Sequence, residues 1–120
     1  MAREITYSAI INAVKSGASV QHSISKTSDM TGDDMIKSTQ LIGTTAELLT
    51  FDEISGAPQL LLIVNLDAAN YIEVDAVAGM TSFPQKVTYG DFILLKPQTA
   101  SIYAKANTAS VRILKVAIEA

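Results

Sequence analysis

The stretch SIYAKANTASVRILKVAIEA, Ser101 to Ala120, decides between an all-β fold and a mixed one. It can be interpreted as two strands, or as one strand followed by a short C-terminal helix. The first half alternates, with Ile102, Ala104 and Ala106 on one side, as a half-buried strand does. The tetrapeptide NTAS (107–110) then suits a hairpin loop, because Asn, Ser and Thr satisfy turn hydrogen bonds locally.

The second half of the stretch favours a strand over a helix. As a helix it would be capped by Ser110 and would carry its charged residues on one polar stripe. Its Val and Ile residues oppose that reading, since they are stiff at χ1 and prefer strands. The apolar residues change parity between Ile113 and Leu114, which indicates a β-bulge or a strand covered on both faces. We therefore predict a closing β-hairpin, Ser101–Ala106 and Ser110–Glu119, with a phase slip at Ile113–Leu114.

The N-terminal half also contains alternating segments. Two of them, around Ile5–Ile11 and Val20–Ile24, are separated by Ser16-Gly17 and predict two strands. IKSTQLIG predicts a short strand ending at Gly43. The segment TTAELLTFDEISGAP is predicted as a loop with a small strand or turn, since Gly and Pro end it.

The C-terminal half has two continuous apolar runs, LLLIV (60–64) and FILL (92–95). Such runs predict strands buried on both faces. Between them, YIEVD predicts a strand with Ile72 and Val74 inward and with Glu73 and Asp75 outward. The remaining residues, 76–91, are predicted as a long connection.

This pattern predicts an all-β fold, a single-domain antiparallel β-sandwich or jelly roll with about seven or eight short strands. The length of 120 residues suits one domain, residues 1–120. Within it, residues 1–15 are either an N-terminal arm or the first strand. The apolar fraction of 48% and the charged fraction of 18% are typical of a folded globular chain.

Charge and hydropathy exclude several classes of partner. The net charge is −3, and the nine basic residues are scattered singly, so no positive stripe for nucleic acid is expected. No apolar run approaches the roughly 20 residues that span a bilayer, so no membrane association is expected. The chain has no cysteine, which excludes disulfides and thiolate metal sites.

No constellation of residues indicates a reaction. Asp29, Asp33 and Asp34 surround Gly32, but their spacing is not that of a calcium loop. They predict a solvated acidic loop, with a weak cation site at an assembly contact as the alternative. His22, the sole histidine, is placed on the inner face of its strand and predicts a structural or interface side chain.

Three further acidic residues, Glu47, Asp52 and Glu53, have no motif that would pair them as catalytic carboxylates. No serine stands in a nucleophile elbow, and no glycine-rich phosphate loop is present. We therefore predict that the chain is not an enzyme and has no catalytic residues, cofactor, metal or small-molecule substrate. Tyr and Met side chains are candidates for interfaces, with no individual partner-binding residue assigned.

Three stretches carry a resemblance to a known family: GAPQLLLIVNLDAANYIEVD, PQKVTYGDFILLKP and SIYAKANTASVRILKVAIE. Together they resemble small structural proteins of tailed-bacteriophage virions, among them β-sandwich capsid decoration (cement) proteins that sit on the capsid as trimers. The likeness covers Gly56–Glu119 and, more loosely, Val20–Gly43. It contributes no catalytic or contact residue.

The resemblance implies a capsid decoration protein on the virion surface that binds the major capsid protein, forms a homo-oligomer, expected to be a trimer, and stabilises the shell. A tail, neck or fibre-base structural protein is the alternative. A carbohydrate-binding module is a more distant one, since the chain has no Trp and few aromatic residues for stacking on sugars.

Overall fold

A computed structural model describes residues 4–30, 32–51, 54 and 56–119 of the chain. In this part the chain forms ten strands and no helix: β1 (Ile5–Lys15), β2 (Ala18–Ser28), β3 (Met35–Ile42), β4 (Glu47–Leu48), β5 (Pro58–Asn65), β6 (Ile72–Asp75), β7 (Gln85–Val87), β8 (Phe92–Leu95), β9 (Tyr103–Ala106) and β10 (Val111–Glu119). The all-β prediction is confirmed, and the strands outnumber the predicted seven or eight. The chain divides into two compact units, residues 1–31 and 32–120. The prediction of a single domain, which was made from the chain length, stays a prediction.

The first unit is a two-stranded antiparallel hairpin, called here the hairpin arm (β1 and β2). Its register runs without interruption from Ile5 opposite Ser28 to Lys15 opposite Ala18. Ser16 and Gly17 form the turn, with φ of 51° and 83°. Positive φ at both turn residues is the signature of a type I′ turn, whose twist matches that of the paired strands. Ser16-Gly17 was expected only to separate two strand segments, and in the structure it is the turn that pairs them as a hairpin.

The second unit is a sandwich of two four-stranded antiparallel sheets. The first sheet has the order β3-β10-β5-β8 and the second β4-β9-β6-β7. The core lies between them and draws side chains from both, for example Ile63 and Ile113 from the first sheet and Ile72 and Ala104 from the second. Alternate residues of each strand face this core, as the period of two requires.

The closing segment is all strand, but it is not a hairpin. β9 pairs with β4 and β6 in the second sheet, whereas β10 pairs with β3 and β5 in the first. The segment NTAS therefore carries the chain from one sheet across to the other. Alternation predicts that a segment is a strand, but both sheets bury an apolar face in the same core, so alternation does not say which sheet it joins.

The predicted phase slip at Ile113–Leu114 is also wrong. Inward positions run unbroken as Val111, Ile113, Lys115 and Ala117, all buried. The apparent slip arises because an inward position is Lys, while the outward positions of the same strand are apolar. The irregularity in this strand lies instead between Ile118 and Glu119, where the register against β5 shifts.

Other predictions differ in detail. The strands at Met35–Ile42 and in the 44–58 segment are confirmed, the latter as the two-residue β4. The connection 76–91 contains β7, which pairs with β6. Asp75 is 6% exposed rather than outward. The β8 run was expected to be buried on both faces, yet Phe92 is 63% exposed and Leu94 36%.

Candidate interaction surfaces

The hairpin arm has one apolar and one polar face. The cross-strand pairs Ala9–Ile24, Ile11–His22 and Ala13–Val20 lie on one face and are called here the arm stripe. The opposite face is formed by pairs such as Ser8–Ser25 and Asn12–Gln21, with Ile10 and Val14 among them. Hydroxyl and amide groups remain solvated at little cost, whereas apolar side chains gain from leaving water. The arm stripe is therefore the face that favours a contact.

The arm stripe is exposed to solvent. Ile11 is 64% exposed, Ile24 61% and Val20 63%. The half-buried first strand expected from the sequence is a strand, but most of its side chains are exposed. His22 does not lie in the core, because β2 is exposed along almost its whole length. Its predicted alternative, a position at an interface, stays a prediction.

The second apolar surface is the outer face of the first sheet. Two rows cross its strands β10, β5 and β8: Leu114, Val64 and Phe92 in one row, and Val116, Leu62 and Leu94 in the other. These six residues are called here the outer apolar face. On β3, the rows continue with Thr39 and Lys37.

The outer face of the second sheet is different. There Glu73 lies between Lys105 of β9 and Lys86 of β7 in the same cross-strand row. The Lys86 ammonium also lies 4.3 Å from the centre of the Tyr71 ring, within cation–π range. A charged outer face is what the solvent side of a sandwich normally shows. The outer apolar face of the first sheet is therefore the exception within the same unit.

The acidic side chains have structural partners. Asp75 accepts backbone N–H bonds from Ala76 at 2.7 Å, Ser82 at 2.9 Å and Phe83 at 3.1 Å. Glu47 accepts from the Gly43 N–H at 3.0 Å and from the Gln40 side-chain amide at 3.4 Å. These bonds hold loops. They do not bring two carboxylates together, as acid–base catalysis by a carboxylate pair would require.

The predicted acidic loop is tied to the end of β10. The N–H groups of Asp33 and Asp34 donate to Glu119 Oε1 at 2.9 and 3.3 Å, and Glu119 N–H donates to the Asp34 carbonyl at 2.9 Å. Among the described residues, no group of three or more His, Cys, Asp and Glu is placed to hold a metal ion. Asp52 and Glu53, the other predicted carboxylates, lie outside the described residues.

A cleft of about 350 Å³ opens at one end of the sandwich. Its lining includes Phe83, Leu95, Pro97 and Ile102, with Asp75 among the polar residues. Because the Asp75 oxygens already accept three backbone N–H groups, this carboxylate is committed to holding the 76–83 loop. The cleft therefore offers apolar walls, with Lys96, Gln85 and Gln98 as its other long polar side chains.

A polar cluster surrounds Lys115, which is 1% exposed. Its ammonium donates to Gln40 Oε1 at 2.9 Å, to Thr50 Oγ1 at 3.0 Å and to the Thr50 carbonyl. Gln40 in turn donates to the Leu48 carbonyl at 3.2 Å and accepts from the Thr50 N–H at 3.2 Å. A cationic donor makes stronger bonds to carbonyl oxygens than a neutral one. The cluster therefore pins the segment after β4 against β10.

The turn after β5 is held by amide and carboxylate side chains. Asn65, 1% exposed, donates to the carbonyls of Asn70 at 2.9 Å and Val87 at 3.0 Å and accepts from the Asp67 N–H at 2.8 Å. Asp67 accepts N–H bonds from Asn70 at 2.7 Å and Ala69 at 3.0 Å. These two bonds lower the pKa of the Asp67 carboxyl, because they favour its ionised form.

The two apolar surfaces escaped the sequence analysis as surfaces. The signal of the outer apolar face is present in LLLIV and FILL, which predict strands buried on both faces. On β5 the inward face is buried, and on the outward face Leu60 is buried while Leu62 and Val64 are half-buried. On β8 the inward face is half-buried and the outward face is exposed. A continuous apolar run thus indicates an outer face that favours a partner as well as it indicates an intramolecular layer.

No helix in the described residues is long and apolar enough to cross a membrane. No protein-family model and no curated protein matches the chain.

Two solved structures are similar to parts or all of the chain, and one of them, at a TM-score of 0.50, shares its fold. A Salmonella typhimurium LT2 protein described as ethanolamine utilization protein Q is similar at a TM-score of 0.50 and 14% identity, over 97% of this chain and 98% of that one. A Ralstonia eutropha JMP134 protein described as a mannose-6-phosphate isomerase has a TM-score of 0.42 and 11% identity, over 77% of this chain and 91% of that one. At 14% identity, the likeness to the Salmonella protein shows the antiparallel all-β fold alone.

Proposed function

We propose that this chain is a non-enzymatic structural protein of a tailed-bacteriophage virion, a decoration protein that binds the outer surface of the capsid. The observation that carries the proposal is the pair of apolar surfaces, the exposed arm stripe and the outer apolar face, which is half-buried on β5 and β10 and exposed on β8. Contiguous exposed apolar patches mark sites of contact with other proteins. The resemblance of GAPQLLLIVNLDAANYIEVD and its companion stretches to virion proteins supplies the setting.

The mechanism is additive burial. A decoration protein that binds only the assembled shell stabilises that shell by mass action, because free capsid subunits do not offer the complete site. Each copy contributes interface area, and an interface of about 800 Å² on each partner is usual for stable binding. The major capsid protein is the partner on the shell, and further copies of this chain are the neighbours on its surface.

The bonding of the acidic side chains supports a structural over a catalytic role. Asp75, Glu47 and Glu119 accept backbone N–H groups that hold loops in place. A general acid or base needs a carboxylate free to reach a substrate proton. The bonds present here are those of a rigid building block.

The test is the number of copies per virion. Quantitative mass spectrometry of purified virions of the phage that encodes the chain, with the major capsid protein as internal standard, is expected to give copies on the order of hundreds, as an icosahedral surface requires. A count of about six or twelve would assign the protein to a tail or neck ring instead. Absence from the virion would overturn both structural roles.

Location and stabilisation are measured in the same preparation. Capsids lacking the protein are expected to release DNA at a lower temperature, and adding back the purified protein is expected to restore the wild-type temperature. Bovine serum albumin at the same concentration is the control for crowding. If added protein binds no shell and changes no release temperature, the decoration role is wrong.

A further inference from the structure

We infer that the hairpin arm of one copy packs its arm stripe onto the outer apolar face of a second copy of this chain. The inference concerns self-association and does not depend on the virion role. It assigns both apolar surfaces to one contact and commits their occupant to a neighbouring copy.

The hairpin arm itself calls for a second layer. A two-stranded hairpin is at best marginally stable in water, and packing one face against another element is what stabilises it. The arm stripe provides the apolar face for such packing, yet Ile11 and Ile24 are 64% and 61% exposed. A sheet face from a neighbouring copy supplies the missing layer.

The dimensions of the two surfaces agree. The arm stripe contains three cross-strand pairs from Ala9 to Ala13, and at about 3.4 Å per residue it is about 14 Å long. The outer apolar face spans β10, β5 and β8, whose two spacings of about 4.8 Å make it about 10 Å wide between outer strand axes. A stripe of this length crosses all three strands.

The side chains of the arm stripe and of the outer apolar face are complementary in size. Small Ala9 and Ala13 flank Ile11 on β1, so the stripe has shallow positions on either side of a large side chain. The outer apolar face presents the large side chains of Phe92 and Leu94 on its edge strand. Interdigitation of large and small residues is how facing sheets reach native packing density.

Charge favours the arm-to-sandwich contact over a contact between like units. Residues 1–31 contain three basic and two acidic residues (Arg3, Lys15, Lys26; Glu4, Asp29) and so have a net charge of +1. Since the chain has −3, residues 32–120 have −4. Two sandwich units brought together would repel each other, whereas the arm unit and the sandwich unit have opposite net charges. This difference acts at the level of the whole units, since Lys37 and Arg112 lie at outward positions beside the outer apolar face. Lys15 and Lys26 stand beyond the two ends of the arm stripe, so the stripe places neither Lys in its centre.

The contact is heterologous, because an arm on one copy meets a different surface on the next. Heterologous contacts close into rings when the rotation between copies allows it. Each copy in such a ring donates one arm and receives one. A ring of three copies would match the trimer that the resemblance to decoration proteins implies.

Single substitutions with matched controls test the contact by light scattering after size exclusion. Ile11→Glu, on the arm stripe, is expected to weaken association at least about tenfold, whereas Ile10→Glu on the opposite face of the same strand leaves it unchanged. Phe92→Glu, on the outer apolar face, is expected to weaken it similarly. Phe83→Glu is the control, since Phe83 lies in a loop and is 76% exposed, against 63% for Phe92. Circular dichroism checks that each variant keeps its strands.

Mixing the two interface variants identifies the partner surfaces. The Ile11→Glu copy keeps its face and the Phe92→Glu copy keeps its arm, so the mixture is expected to form a one-to-one dimer from two monomers. Contact between two arms would leave Phe92→Glu oligomeric by itself, and contact between two faces would leave Ile11→Glu oligomeric. Either result overturns the inference, as does a wild-type protein that is monomeric at all concentrations. Copy number in virions is independent of these outcomes, so the two proposals fail separately.

Discussion

The turn after β5 makes a sharp prediction about a buried amide. Asn65→Asp keeps the size and shape of the side chain but replaces the Nδ2 group, which donates to the carbonyls of Asn70 and Val87, with a carboxylate oxygen. Two buried carbonyls then lose their donor, at about 1 kcal/mol or more each. An ionised oxygen would also face them in a site that is 1% exposed. We expect the free energy of unfolding to fall by about 3–5 kcal/mol at pH 7.

The cost of this substitution depends on pH with a definite sign. Burial beside two carbonyl oxygens raises the folded-state pKa of the new carboxyl above its unfolded value of about 3.9. The penalty is therefore complete above the folded pKa and fades as pH falls toward the unfolded value, where the protonated acid donates one of the lost bonds. Urea unfolding at pH 7 and pH 4, with a slope of about 1–3 kcal/mol per molar urea, measures both values.

Asn107→Asp is the matched control. Asn107 Oδ1 accepts the Tyr71 N–H at 3.0 Å, and a carboxylate oxygen accepts that bond equally well. Its Nδ2 bond to Thr108 Oγ1 is long, at 3.4 Å, and exposed, so the expected loss is below about 1 kcal/mol. Equal losses at both positions, or a pH-independent loss for Asn65→Asp, would refute the assignment of the Asn65 donor bonds.

Three further outcomes are expected. Gly17→Ala should destabilise the hairpin arm by about 1 kcal/mol, because its φ of +83° is unfavourable for Ala, although no atom would contact the added Cβ. Amide exchange in β1 and β2 should become about fivefold faster, and the control Gly79→Ala should leave it unchanged. The Asp67 carboxyl should titrate by NMR with a pKa below the ordinary range of an aspartate, because Asn70 and Ala69 donate to its ionised form. Its contribution to stability is present above the unfolded-state pKa and is lost as pH falls through the folded-state pKa. Asp67→Asn should therefore be less stable than wild type at pH 7 and equal to it in strong acid. Lys115→Met should lower the free energy of unfolding, measured by urea unfolding, by about 1–3 kcal/mol, because the Thr50 carbonyl loses its cationic donor. An unchanged or higher stability would contradict this, and would show that the cost of burying the ammonium exceeds the gain from that bond.

Local sequence rules predicted the strands where one face is apolar and the other polar. Met35–Ile42 and Tyr103–Ala106 alternate clearly and form strands, because a half-buried strand requires a period of two. β7 was missed because Gln85–Val87 is too short to show a period. Asp75 was placed outward because polarity alone does not show that three N–H groups of its own loop point at it.

The candidate surfaces depended on information that lies outside any single segment. His22 between Val20 and Ile24 has the same pattern in a core strand as in a strand of the hairpin arm. Only the tertiary structure shows that these side chains stay exposed in β2 and do not pack into a core. LLLIV and FILL correctly indicated that both faces of their strands are apolar. The pattern could not show whether other parts of the same chain bury both faces.

By itself, the sequence determined the all-β class, most of the strands and the break between two strands at Ser16-Gly17, because these follow from side-chain alternation and turn chemistry within a few residues. The tertiary structure alone decided that SIYAKANTASVRILKVAIEA divides its two strands between opposite sheets. It also decided that Lys115 points inward while Leu114 and Val116 point outward. The physical reason is that a buried ammonium is tolerated only where distant oxygens, here those of Gln40 and Thr50, converge on it. Such convergence is a property of the fold and not of the segment.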